Sequence, residues 1–592
     1  MMKSQSKTTL LLFGVFSALV CRGLAQGGAE EVIFKAMEDE LRRSVSQLAL
    51  EHYQPPFFVA YQLADVRTLT VKATLGELCQ SQEHHLRPDW MRLMVGDYAL
   101  NDENFVGGRP SFFLGASDFL PLPLENDYAA IRRAFWAQTD GIYKSALETY
   151  DQKLTALKQQ NKSDSERIDD YTKVAPTHLI VKSDPINFDQ PRWEQATKEL
   201  SAVFRSYNQV LSSVVFLSFV DASVYLTSSE GTRVRFPVSV ACLWINVFTQ
   251  AEDGEPLADH LAYCARTPDQ LPPLARLRAE AKGLADSILA LRTAPVFADA
   301  YTGPVLFEGD AVAILVFQKL FDQQQGLISF REPIYAVDNP GQARNADRLE
   351  GKVGQRICSN RLTIKAVPKR QSFGDLPLVG TFEVDAEGVV PKDELVLVEH
   401  GILRTLLNDR VPTQTVKESN GHSRLALMGG GYLTPMKAPG VIEVSYADGS
   451  SLPELRKELL SEAAANGLNS VYLVRRLNRM NPGMNRDMRG ASIRTPVLSR
   501  PAALYRVDTK TGAEQLVRSA VFSEFPVTNF KRVTKGCKDQ QAFNLVLPVG
   551  SAELPVSFIL PQALVFDDVS LEKARTTRPK LRLVPNPILA RQ

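Results

Sequence analysis

The chain has 592 residues, with 68 Lys+Arg against 67 Asp+Glu, 44% hydrophobic residues and 35 each of Gly and Pro. The apolar fraction excludes a disordered chain, and Gly and Pro without a period exclude a collagen-like one. A net charge of +1 argues against a nucleic-acid or anionic-membrane partner, which needs concentrated positive charge, and about 150 residues per domain allows roughly four domains.

Residues 1–25 read as an export leader. Lys3 and Lys7 form a basic n-region, Thr9 to Val20 is an apolar run too short to span a bilayer, and Gly23-Leu24-Ala25 offers small residues for cleavage near Ala25. Lipidation at Cys21 is the alternative, with bulky Val20 against it. No later run is long and apolar enough for a membrane span, so the mature chain is expected to be periplasmic or extracellular.

The spacing of Val32, Ile33, Met37, Leu41, Val45 and Leu48 predicts a helix over 30–50, stopped by Pro55-Pro56. Strands are expected at Phe57–Gln62, Thr68–Leu75 and Trp90–Val95, with His84-His85 in an exposed polar loop between them. A long helix follows from Asn126 to Gln160, then a solvated polar run, Gln159–Asp170, and a helix at Arg192–Tyr207. Strands are expected at Val210–Val220, Ala222–Ser228, Thr232–Ser239 and Ala241–Thr249, the hairpin between the middle two turning at Ser229-Glu230-Gly231. Leu271–Arg292 is a helix, and the Pro and Gly around 294–304 separate the two halves.

After Val305 comes a helix at Gly309–Asp322 and then mainly short strands. These are Leu378–Val384, Leu395–Glu399, Val441–Tyr446, Ser470–Arg475, Ala503–Asp508, Gln515–Val521, Phe543–Leu547 and Val556–Leu560. Leu452–Asn466 is one more helix, ended by Gly467. The result is an α+β chain: an N-terminal mixed α/β region over 26–298, then a largely antiparallel β-rich domain over 299–592 with a C-terminal tail.

The chemistry-bearing residues are sparse. Only seven histidines occur, none in HExxH or HxH, so no zincin motif is present. His260 and Cys264 share an i, i+4 spacing that would reach one metal only on a helix. Gly429-Gly430-Gly431 lacks the Lys-Ser/Thr of a phosphate loop, and no GxSxG elbow occurs. Glu383, Asp385 and Glu387 alternate toward Gly388, either as an acid/base or cation-binding cluster or as a solvated strand edge, the latter favoured. Cys79, Cys242, Cys264, Cys358 and Cys537 remain after the leader, contain no CxxC and allow up to two bridges whose pairing stays open.

Several segments, in order, resemble the TldD/PmbA family, zinc-peptidase-related proteins once described as modulators of DNA gyrase. They are Gly303–Ala311, Phe382–Val389, Leu397–Leu403, Ser419–Arg424 and Gly536–Gln540, with Pro55–Tyr61 and Val95–Tyr98 in the first half. The resemblance covers most of the mature chain and points to an exported, PmbA-like branch. In active members a helix carrying HExxxH, with a later Cys, binds zinc; the two imidazoles reach one metal and the Glu activates its water. Here that motif falls on Phe317-Gln318-Lys319-Leu320-Phe321-Asp322, and only Cys537 stands where a family ligand would. No histidine lies between His260 and His400, so no register restores the pair.

The resemblance therefore implies a dimer with a groove for flexible peptide but no bound zinc and no cofactor. It implies a peptide-binding or partner subunit of a peptidase-type assembly, as homodimer or as heterodimer with a zinc-bearing homologue. One alternative is a peptide hydrolase with a displaced site using His422, Cys537 and the carboxylates near Asp385; another is a cell-envelope binding or scaffold protein. No nucleic-acid partner is expected.

Overall fold

The computed structural model describes residues 28, 30–107, 122–160, 167–321, 326–336, 348–428, 431–478, 498–549 and 552–574. The leader, Asp322, Gly429-Gly430 and the tail beyond 574 lie outside the described residues.

The first sheet uses both of its faces. Its strands run in the order Glu77–Leu86, Phe58–Thr74, Ser212–Ser228, Arg233–Gln250, His178–Ile180, with Asp89–Met94 and Pro256–Ala265 added at the ends of the long strands. All pairings are antiparallel except that of His178–Ile180. Side chains alternate across a strand. Val215, Leu217 and Phe219 accordingly meet the helices, whereas Val220, Ala222 and Val224 meet the C-terminal half.

On the helical face lie α1 (residues 30–47), α2 (Tyr128–Gln160), α3 (Gln190–Ala202) and α4 (Leu274–Thr293). The first two cover Val59, Tyr61 and Leu63; the last two cover Leu69, Val71, Leu243 and Ile245. The opposite face packs Val66, Val234 and Cys242 against Val384, Ala386, Leu425 and Val546. Burial on both faces explains the near-continuous apolar runs of these strands.

Two further sheets build the C-terminal half. One runs Ile402–Leu403, Leu395–Glu399, Leu362–Ala366, Val441–Tyr446, Ala552–Pro561, Ser423–Met428, Leu433–Lys437, with Gln540–Val549 paired to Ala552–Pro561. The other runs Glu514–Val517, Pro501–Asp508, Ser470–Leu477, Tyr301–Glu308, Ala563–Lys573, Ala520–Glu524, with Val533–Gly536 on Ala563–Lys573. Helix α5 (Asp310–Leu320) is buried in the large apolar cluster the two sheets share, and α6 (Leu452–Ala465) covers the far face of the second sheet. Glu454 ties down the start of α6 by accepting from the Ser451 N–H at 3.0 Å. The α+β class and largely antiparallel sheets agree with expectation.

Several local expectations are corrected. The first two expected strands fuse into Phe58–Thr74, and the four expected between Val210 and Thr249 into two strands of 17 and 18 residues. Asp65 and Asp221 looked like breaks; Asp65 instead pairs with Arg87 at 2.5 Å, and Asp221 accepts the Ile186 N–H at 3.0 Å. His84-His85 sits on the Glu77–Leu86 edge strand, not in a loop, although both side chains are exposed. Only Leu376-Pro377 precedes the expected Leu378–Val384 strand, whose residues form an irregular turn. Asp170, expected in a solvated run, is buried against Lys153.

Candidate functional site

Helix α5 is where the family resemblance would place a metal. Its sequence, DAVAILVFQKL, buries eight side chains, from Ala311 through Phe317 and Leu320. Phe317 meets the Phe558 ring edge-on at 6.3 Å. Gln318 is held at both ends of its amide: Nε2 donates to Ser499 Oγ at 2.7 Å, and Oε1 accepts the Ser499 N–H at 3.1 Å.

These residues do not fit a zinc ion. Phe317 has no lone pair, the Gln318 amide is a poor base and already engaged, and Asp322 lies outside the described residues. Cys537 belongs to a different cluster, with Leu306, Leu455 and Leu459 on the α6 side of the sheet, whereas Phe317 packs between the sheets. Burial pushes the Cys537 thiol up to about 11, so it is protonated at neutral pH. Among the described residues no group of three His, Cys, Asp or Glu is placed to hold a metal ion.

His422 occupies another environment again. It is 1% exposed, its ring meets Phe382 edge-on, and Nδ1 lies 3.0 Å from the Asn420 carbonyl and 2.9 Å from Asn420 Oδ1. Nε2 is buried with no hydrogen-bond partner. Burial, only partly offset by Asn420 and reinforced by Arg424, pulls its pKa down to about 3. His422 and Cys537 share no hydrogen bond and no apolar cluster, so the nucleophile–base geometry of a displaced hydrolase is not assembled. His260 and Cys264 lie on the Pro256–Ala265 strand, where i, i+4 side chains do not converge, and Cys264 is bridged to its cross-strand partner Cys242.

The buried chemistry lies at the seam between the halves. Residues Thr381–Val389 form a turn organised by Asp385, which accepts N–H groups from Glu387 (2.9 Å), Val389 (2.8 Å) and Ser423 (3.1 Å). Gly388 completes it at φ +81°, where a Cβ would meet Thr232 Cγ2 at 2.7 Å. The favoured reading of the acidic run as a solvated edge is therefore overturned for Asp385 and Glu387, which are 1% and 9% exposed. Burial and the Glu387 charge push Asp385 up, against the pull of its three N–H donors. Glu387 pairs with Arg92 and accepts the Arg410 N–H at 2.9 Å. Arg410 pairs in two-pronged fashion with Glu230, both contacts 2.7 Å, and Arg92 does the same with Glu103. Residues from both halves thus satisfy one another's buried charges.

Beside this network a cavity of about 230 Å³ opens between the Phe236–Ser239 stretch and the Val379–Ala386 turn. Arg424 enters it across the Phe382 ring, 4.3 Å from the centroid, and donates to the Gly380 carbonyl at 2.7 Å. Gly440 leaves room for that guanidinium, since a Cβ there would approach Arg424 Nη1 to 2.5 Å. Arg92, Glu230, Arg410 and Arg424 were not singled out as site residues from sequence. Only Arg424 carried a signal, as the last residue of the Ser419–Arg424 segment.

Fold and seam together define an α+β protein of largely antiparallel sheets whose two halves meet at a buried network of charged side chains. Residues 327–472 match the model of the PmbA/TldA metallopeptidase C-terminal domain. A protein described as a metalloprotease from Methanothermobacter thermautotrophicus is 36% identical over 95 residues, which is 15% of this chain and 19% of that protein. This chain thus spans about a fifth of the length of that curated relative. At the level of fold, TldE from Thermococcus kodakarensis superposes with TM-score 0.52 and 14% identity, covering 90% of this chain and 99% of the other. A proposed modulator of DNA gyrase from Thermotoga maritima gives 0.53 and 14%, covering 87% and 96%. A similarly described protein from Bacteroides thetaiotaomicron gives 0.51 and 11%, covering 92% and 98%. Residues 327–472 are thus similar to the C-terminal domain of the PmbA/TldA metallopeptidases, and the chain shares the fold of these TldE and gyrase-modulator structures.

Proposed function

We propose that this is an exported TldD/PmbA-family protein that binds flexible peptide without holding zinc. In this reading it serves as the peptide-binding or partner subunit of a peptidase-type assembly, as homodimer or beside a zinc-bearing homologue. The observation that carries the reading is α5, where the position of a metal-binding helix is filled by packed apolar side chains and one amide saturated by Ser499. The leader-like residues 1–25 and the Cys242–Cys264 bridge support export, since disulfides persist in oxidising compartments. No helix among the described residues is long and apolar enough to cross a membrane.

The test is to incubate the purified mature chain with an unstructured fluorescent peptide, following anisotropy and cleavage together. Binding without cleavage is expected. Cleavage that a chelator abolishes would overturn the reading.

A further inference from the structure

The seam cavity is built around a cation with no anion. Arg424 is 9% exposed, and the only hydrogen bond of its guanidinium among the described residues is to the Gly380 carbonyl. It makes no ion pair within 4 Å there, and Asp385, its nearest source of attraction, is spent on three backbone N–H groups. Burial, partly offset by Asp385, pulls the Arg424 pKa down to about 10. The other arginine at the cavity is differently placed. Arg266 donates to the Leu378 carbonyl (3.0 Å) and to Gln371 Oε1 (2.9 Å) and is balanced by Glu383. A buried guanidinium is most stable with a carboxylate or phosphate across its planar fork.

The walls choose between those anions. Phe236, Val238, Val379, Leu425 and Pro555 are apolar, and Glu383 and Asp385 also line the space. A doubly charged phosphate beside Glu383 would be repelled more strongly than a singly charged carboxylate, which needs only the Arg424 fork. About 230 Å³ has room for one residue with its side chain.

We propose that this cavity captures the C-terminal carboxylate of a peptide on Arg424, with an apolar last side chain against the Val238, Val379 and Leu425 wall. The proposal rests on the peptide-binding reading above and adds which end of the peptide is held. Because the cavity lies between the halves, a captured terminus would touch both.

The experiment uses the mature full chain and a fluorescein-labelled Gly-Ser-Ala-Gly-Leu, with either a free carboxylate or an amidated C-terminus, in anisotropy titrations. The free form is expected to bind about tenfold or more tightly than the amide, the worth of one charge-assisted pair. Arg424→Gln should abolish that preference. Should Arg424→Gln fail to fold, Val238→Trp carries the test: it fills the cavity, leaves Arg424 in place and should remove the preference with an unchanged melting profile. Equal binding of the two peptides would overturn the cavity assignment while leaving peptide binding standing. Binding of neither would overturn both. Competition by an amidated peptide with an internal Glu, as strong as by the free pentapeptide, would also overturn capture of a peptide terminus.

Discussion

The buried, half-partnered His422 makes stability depend on pH in a way that can be isolated by substitution. In the folded chain its pKa is about 3, against an ordinary value near 6.5, because burial disfavours the imidazolium and Nε2 has no partner. Between those values the unfolded chain takes up a proton that the folded chain does not. The contribution is therefore fully present above pH 6.5 and is lost as pH falls toward 3, at about 1.4 kcal/mol per pH unit. From pH 7.5 to 4.5 the loss is about 2.7 kcal/mol. Other buried acids titrate in the same range, since burial raises Asp89 and Asp259 to about 6 and Asp102 to about 7. Their effect has the opposite sign, but it cancels in the difference between wild type and His422→Gln, which removes the titrating ring and keeps a donor for Asn420. Urea unfolding of both proteins across this range should show wild type losing about 2.7 kcal/mol relative to the variant. Parallel curves would refute the reasoning. They would mean that His422 titrates normally, and would restore it as a candidate base.

The remaining predictions concern the seam, α5 and the thiols. Glu387→Ala removes one of the two carboxylates on Arg92 and the acceptor of the Arg410 N–H, and should cost about 1–3 kcal/mol, read as a lowered urea midpoint. Phe317→His combined with Gln318→Glu should melt well below wild type and gain no zinc affinity by calorimetry, because Cys537 lies in a separate cluster. In the mature native chain, Ellman's reagent should find only Cys79 fast, with Cys358 and Cys537 appearing on unfolding and Cys242 and Cys264 only after reduction.

Much of the architecture was legible because it follows from periodicity. Helices α1, α2, α4 and α6 and the strands around Val441–Tyr446 and Ser470–Leu477 showed their apolar spacing in sequence. Strand lengths were misread where a carboxylate such as Asp65 or Asp221 sits mid-strand, since its partner comes from another element. The seam was illegible for a related reason. Arg92 and Glu387 are 295 residues apart and Arg410 and Glu230 are 180, so no local pattern announces either pair. Asp385 and Glu387 looked like a solvated edge because acidic alternation usually is one. What sequence showed of α5 was the chemistry that its residues lack; the structure adds that they are packed.

The central claim is that α5 is a packing helix and holds no catalytic metal. The most direct measurement is the zinc content of the purified mature chain after saturation with zinc and exhaustive desalting, by elemental mass spectrometry together with the oligomeric mass. The account predicts far less than one zinc per chain. One firmly held zinc per chain, removed by a chelator along with peptide cleavage, would contradict it.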